Sequence, residues 1–196
     1  LTTSSAASDV YKRQVKDLDQ LMEIWYGSIG RGANLLLNFP VDRRGLVHEN
    51  DAGAIRGLHR AVEDITRVDL ALARPATSEQ TRGGDRGPFT AMNTTDGDPT
   101  TYWAATDGSE TGTIEIALER PSPVDHVSIA EFLPLGQRIR SFSVQCRTVD
   151  GWTTVARGTT VGNRRFVRFP AVMANRVRVV VEDARASPTI REITVH

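Results

Sequence analysis

Asn93-Thr-Thr-Asp-Gly-Asp-Pro-Thr-Thr-Tyr-Trp103 joins turn chemistry to oxygen ligands and ends on a tryptophan. Asp96 and Asp98 straddle Gly97, so a tight turn lets their carboxylates converge, with the Thr101 hydroxyl in reach one turn later. An all-oxygen set of this kind suits a hard cation such as Ca²⁺, although an ordinary Asp-Gly turn needs the same residues. Trp103, directly behind the loop, is placed to plug a hydrophobic core rather than to stack on a ligand.

Around this stretch, from Arg74 onward, the chain is rich in Ser, Thr, Gly and Pro and carries short β-branched or alternating runs. The runs are Thr113–Leu118, Val124–Phe132, Phe142–Thr148, Trp152–Ala156, Phe166–Phe169, Arg176–Val181 and Ile190–Val195. Short strands separated by turn signals predict an all-β sandwich. Ile114, Ile116 and Leu118 fall on one strand face, as do Phe142, Val144 and Cys146, and Val177, Val179 and Val181. With mostly polar residues between them, these are the inner faces of two sheets.

The Asn93–Trp103 stretch resembles the coagulation-factor type C (discoidin) domains and the family 32 carbohydrate-binding modules, both galactose-binding-like jelly rolls. The resemblance implies a structural Ca²⁺ whose site is completed by the Asn93 carbonyl, the Arg191 carbonyl and the Glu192 carboxylate. The expected metal ligands are therefore Asn93, Asp96, Asp98, Thr101, Arg191 and Glu192. Folds of this kind serve sugar binders, lipid binders and scaffolds alike, so the resemblance leaves the ligand open. Arg138 is expected to pair with Glu131 across a short loop rather than clamp sugar hydroxyls. Trp152, after Gly151 at a hairpin, is expected to pack beneath its own turn, with stacking on a pyranose as the alternative.

Residues 15–73 have a different texture. Leu18, Leu21, Met22 and Trp25 recur at helical spacing before Gly27, Gly30 and Gly32 interrupt the pattern. Asn34-Leu-Leu-Leu-Asn-Phe39, closed by Pro40, reads as a strand buried on both faces of a parallel sheet. A second helix follows, with Asn50 or Asp51 near its start and Ile55, Leu58, Val62 and Ile65 on one face. One parallel strand leaves two unpaired edges, so this block is not expected to stand as a complete domain.

Tyr26-Gly-Ser-Ile-Gly-Arg-Gly-Ala-Asn-Leu-Leu-Leu-Asn-Phe-Pro40 and Asp42-Arg-Arg-Gly-Leu-Val-His-Glu-Asn-Asp51 resemble glycoside hydrolase family 29, the α-L-fucosidases. Glu131-Phe-Leu-Pro-Leu-Gly-Gln-Arg-Ile-Arg-Ser-Phe142 and Gly162-Asn-Arg-Arg165 resemble the sandwich appended to such enzymes, so the resemblance covers residues 15–196. It implies an α+β fragment: the last helix-strand-helix of a (β/α)8 barrel, residues 15–73, followed by an all-β jelly-roll sandwich, residues 74–196. It further implies a parent that removes terminal α-L-fucose with retention, through an aspartate nucleophile and a separate acid/base that both precede this chain. The absent N-terminal barrel would be the main intramolecular partner, fucosylated glycans the substrates, and the setting extracytoplasmic, periplasmic or secreted. No residue here is expected to be catalytic. Glu49, Asp51, Glu63 and Asp64 read as helix-end or outer-face acids, and Asn38, at the end of a barrel strand, could supply a supporting hydrogen bond at most.

Residues 1–14 are set aside as a non-native scar or disordered tail. Leu1–Ser8 has neither a signal peptide's charge and apolar core nor any helical period, and Asp9-Val-Tyr-Lys-Arg-Gln14 resembles the translation of a library-preparation transposon end. Lys and Arg number 24 against 24 Asp and Glu, which leaves no basic field for nucleic acid. The longest apolar run, Leu35–Leu37, is far short of the roughly 20 residues that span a bilayer. A single cysteine, Cys146, excludes an intrachain disulfide. Two functions remain in view: an accessory domain of a fucosidase, and a carbohydrate-binding module for a fucosylated or galactosylated glycan.

Overall fold

The structure is a computed structural model that describes residues 15–196. The expected scar at 1–14 lies outside the described residues. Contacts divide the rest into a helical unit, 15–29 with 34–67, and a β unit, 30–33 with 68–196.

In the helical unit, α1 spans Leu18–Gly27 and is opened by a capping box. The Asp17 carboxylate accepts from the Gln20 backbone, and the Gln20 side chain accepts from the Asp17 N–H. Leu21 and Trp25, one turn apart, are its buried positions. Helix α2 spans Glu49–Thr66 and is capped by His48, whose Nδ1 accepts from the Asn50 N–H at 3.2 Å; the expected start at Asn50 or Asp51 is thus already helical. Leu58 is buried as its spacing requires, and Asp51, expected among the helix-end acids on the outside, is buried too.

The strand expected at Asn34–Phe39 does not form. Residues 34–40 are without regular structure, and Leu36 is 95% exposed. A strand is defined by its ladder, and among the described residues no neighbouring strand offers this segment one. Apolar content alone selects extended backbone; partners turn it into a sheet.

The β unit is antiparallel throughout. Its strands are β1 (Ala76–Thr77), β2 (Trp103–Ala104), β3 (Gly112–Glu131), β4 (Ile139–Thr148), β5 (Gly151–Gly158), β6 (Arg165–Ala184) and β7 (Thr189–Val195). They are hydrogen-bonded in the order β2-β7-β3-β6-β4-β5, with β1 on the free side of β3. The sequence divides both β3 and β6 in two, whereas the structure runs each as one strand of 20 residues. The divisions fall at proline: Pro121 and Pro123 in β3, Pro170 in β6. Proline has no N–H for the ladder, and the β3–β6 register slips between Ala117 and Ser122 and again between Val124 and His126.

Those slips let the two strands belong to two layers. Gly112–Ala117 pair with Arg176–Val181 in a layer that takes in β1, β4 and β5. Ser122–Ile129 pair with Arg165–Ala174 in a layer that takes in β7 and β2. This is a sandwich whose corners are made by strands that change layer. The alternating positions noted in the sequence meet in one core with Trp103, Phe142, Ile129, Ile139, Ile190 and Ile193. Cys146 lies in this core, where burial pushes its thiol up to about 11.

Trp103 is fully buried, its Nε1 donating to Thr81 Oγ1 at 3.3 Å. Gly112 leaves room for it: a Cβ on Gly112 would stand 2.5 Å from the indole Cη2. Trp103→Ala is expected to cost about 3–5 kcal/mol through cavity formation. Gly112→Ala is expected to cost about 1–3 kcal/mol through overpacking. Urea denaturation checks both, and an unchanged midpoint in either variant contradicts this packing.

Candidate functional site

The loop after a short 3₁₀ turn at Ala91–Thr94 is organised by its own carboxylates. Gly97 takes a left-handed conformation, φ 75°, as a residue without Cβ readily does. Asp96 Oδ1 accepts from the Asp98 N–H at 2.9 Å, and Asp96 Oδ2 from the Thr101 hydroxyl at 2.8 Å. Asp98 Oδ1 accepts from both the N–H and the hydroxyl of Thr100, at 2.8 and 2.6 Å. The Asn93 side chain donates to the carbonyls of Pro88 and Tyr102 and so closes the base of the loop.

Of the six expected ligands, Asp98, Arg191 and Glu192 line one open cleft of about 260 Å³ beside Gly97, Pro99 and Arg164. Asp96 and Thr101 are bonded to each other, and Asn93 lies at the loop base. Glu192 already has a cationic neighbour, the Arg164 guanidinium at 3.3 Å. Among the described residues no three His, Cys, Asp or Glu side chains group as a metal cluster, so a cation here would depend on carbonyl and hydroxyl oxygens as well.

The expected Glu131–Arg138 ion pair is replaced by something else. Glu131 is 1% exposed, and its carboxylate takes three backbone donors: Arg138 and Ile139 on Oε1, at 2.7 and 2.9 Å, and Gly162 on Oε2 at 2.6 Å. The Arg138 guanidinium turns instead to the carbonyls of Leu135 and Ser187. Trp152 also departs from expectation: it is half-buried under Arg178, which reaches across β4 to put its guanidinium carbon 4.2 Å from the ring centroid. A second cleft, of about 380 Å³, lies near Arg178 between β1, the segment that follows it, and β3. Sequence reading missed it because Glu115 and Arg178 alternate with core residues and look like any solvated strand face.

Residues 75–193 match the F5/8 type C domain family. The chain belongs to that family. The F5/8 type C match thus covers most of the β unit, and the discoidin resemblance of the Asn93–Trp103 stretch holds. The chain is also 31% identical over 174 residues to alpha-L-fucosidase 1 of Arabidopsis thaliana, covering 87% of this chain and 34% of that protein. A Ruminococcus gnavus GH29 fucosidase solved in complex with fucose superposes with a TM-score of 0.82 at 30% identity, over 92% of this chain and 37% of the other. A chitosan-binding module from a Paenibacillus chitosanase/glucanase superposes with a TM-score of 0.58 at 26% identity, over 66% of this chain and 98% of the module. The homologues are α-L-fucosidases matched in their C-terminal region, and the chain spans about a third of the length of the curated relatives it matches. No helix among the described residues is long and apolar enough to cross a membrane.

Thr100, by side-chain and then backbone hydrogen bonds, holds the Asp98 carboxyl below the ordinary aspartate range. A depressed folded value means that the contribution to stability is complete above the unfolded pKa, ~4, and is lost as the pH falls through the lower folded value. Carboxyl-carbon NMR titration is expected to place the Asp98 midpoint low in the native chain and nearer the ordinary value in Thr100→Val. A midpoint that does not move in the variant removes Thr100 as the cause.

Proposed function

We propose that this chain is the C-terminal part of an α-L-fucosidase of glycoside hydrolase family 29, in which the F5/8 type C domain is an accessory to a catalytic barrel. The extent of the likeness carries this reading: it covers 92% of the chain, well beyond the F5/8 type C region, and therefore takes in part of the helical unit. On this reading residues 15–73 are the last helix-strand-helix of the (β/α)8 barrel. The order α1, apolar Leu35–Leu37 without regular structure, α2 supports it, since an apolar segment that has no ladder among the described residues is what a barrel's neighbouring strand would pair. The parent's reaction is retaining hydrolysis of terminal α-L-fucosides, which takes two carboxyl groups about 5–5.5 Å apart. Among the described residues, the cleft of the helical unit, lined by Asp51 and Leu36–Pro40 among others, has Asp51 as its one carboxylate.

The chain alone is expected to leave an aryl α-L-fucoside uncleaved, whereas the gene product extended upstream of Val15 cleaves it. Release of the aryl alcohol by absorbance decides the matter, and turnover by the 196-residue chain contradicts the reading.

We also assign a structural Ca²⁺ to the loop. Asp96, Asp98, Thr101 and Glu192, with the Asn93 and Arg191 carbonyls, would supply a hard-oxygen set, of which Asp98, Arg191 and Glu192 already line one cleft, and Arg164 would release Glu192 as the ion enters. Melting temperature in CaCl₂ against chelator is expected to rise by several degrees, and less so for Glu192→Gln. Equal melting temperatures remove the ion. An extracytoplasmic, periplasmic or secreted, setting would fit such a site.

A second reading, in which the F5/8 type C domain itself holds a glycan, is favoured by its likeness to almost the whole of a chitosan-binding module. Such a module would keep the parent on its substrate by effective concentration.

A further inference from the structure

The first residues of the β unit are fastened to its last strand by side chains as well as by backbone. Leu70 donates its N–H to the Val195 carbonyl at 2.8 Å, and the Asp69 carboxylate accepts from the N–H groups of Val195 and Ala71, both at 2.9 Å. His196 adds a further tie: its Nδ1 lies 2.7 Å from the Val68 carbonyl oxygen and its Nε2 3.0 Å from Thr194 Oγ1. A carbonyl only accepts, so Nδ1 carries the proton, and Nε2 of the neutral ring accepts from the Thr194 hydroxyl. The backbone of His196 is held separately. Its N–H donates to the His126 carbonyl, and its carbonyl accepts from the N–H groups of Asp125 and His126. The ring can therefore turn away while the strand stays paired.

A protonated ring is at a disadvantage in this position. Phe166 stacks on it with centroids 5.7 Å apart, and His126 lies 5.4 Å from the same phenyl ring. Among the described residues the charges around it are of both signs. Asp69 on the entering segment and Asp125 on β3 favour a cation, whereas His126 opposes one and Arg168 on β6, opposite His126 in the register, adds positive charge to that face. Glu192, further back on β7, is engaged by Arg164. Burial outweighs the carboxylates and holds the His196 ring below its ordinary value of 6.5. The detached ring thus binds a proton more tightly than the fastened one. Stability from the fastening is complete above 6.5 and is lost as the pH falls through the lower folded value. Packing decides what gives way: Ala71 is fully buried and stays in the core, whereas Val68 is 55% exposed.

We propose that His196 is a pH-sensitive clasp on the entry to the β unit: the neutral ring ties Val68 to the end of β7, and the protonated ring swings into water and frees residues 68–70 to move about Ala71. Protonation turns Nε2 from acceptor to donor, which sets it against the Thr194 proton, and the charge gains full hydration only by leaving Phe166. Acidification loosens this end of the fold and leaves the core in place. Neither a bound ion nor a glycan enters the device.

The test is ¹⁵N relaxation together with ¹H–¹³C NMR of the histidine rings, on the full chain, from about pH 7.5 to about pH 5. The His196 ring is expected to titrate with a midpoint below 6.5, and the amides of Val68, Asp69 and Leu70 to shift with the same midpoint. Their order parameters are expected to fall from about 0.85 towards 0.6, while those of Ile129 and Val179 in the core hold. His196→Asn, whose carboxamide can donate to the Val68 carbonyl but cannot titrate, is expected to keep the segment ordered at the acid end, and His126→Gln to leave the transition in place. If the segment is already loose at neutral pH in His196→Asn, the ring is its fastening, and the shared midpoint in the unaltered chain carries the proposal. Order parameters that hold at residues 68–70 throughout the titration overturn the clasp. So does a transition that persists in His196→Asn or vanishes in His126→Gln.

Discussion

The pairing of β3 with β6 is the constraint on which the β unit depends. Each strand is 20 residues long, and together they contribute to both layers, so neither layer can form without the other. A straight pair of that length would make one flat sheet. Pro121 and Pro170 fall within the two register slips and Pro123 lies between them, so the ladder is interrupted there and the strands pass from one layer to the other. The inner face of the bend is then filled by Ile114, Ile116, Val177 and Val179 from one half and by Val127 and Ile129 from the other. Every contact in this pairing is distant in sequence, so closing the sandwich carries a high loop-closure cost.

Glu131 secures the far end of that arrangement. It is the last residue of β3, and its buried carboxylate takes the N–H groups that begin β4 and that of Gly162 before β6. A lysine or arginine partner would neutralise the charge but would leave those three amides unmet. Backbone donors solve both problems at once, since each satisfies itself while stabilising the carboxylate. Arg138 is thereby freed to bind carbonyls at Leu135 and Ser187, stitching the same end of the sandwich from the outside.

Much of this was legible in the sequence. The alternation of Ile114, Ile116 and Leu118, and of Val177, Val179 and Val181, defined inner faces that the structure buries, and Trp103 sits in the core as its position behind the loop required. The helices α1 and α2 followed from apolar spacing. What failed to transfer depended on partners that local pattern does not name. Asn34–Phe39 has the composition of a buried strand but meets no ladder among the described residues. Glu131 and Arg138 have the charges of an ion pair, yet the geometry of the loop presents amides first. Prolines read as strand breaks because they do interrupt hydrogen bonding, while the continuity of β3 and β6 lies in their neighbours. At the candidate site, spacing brought out the Asp96–Thr101 loop, but the approach of Arg164 to Glu192 joins the β5–β6 loop to the last strand and has no local signature.

In the Asp96–Thr101 loop, Asp96 and Asp98 accept hydrogen bonds from Asp98, Thr100 and Thr101, and Glu192 leans on Arg164, so the ion proposed for it would have to compete with bonds already made. Its net gain would be a difference between two satisfied states and would be felt as stability of the fold.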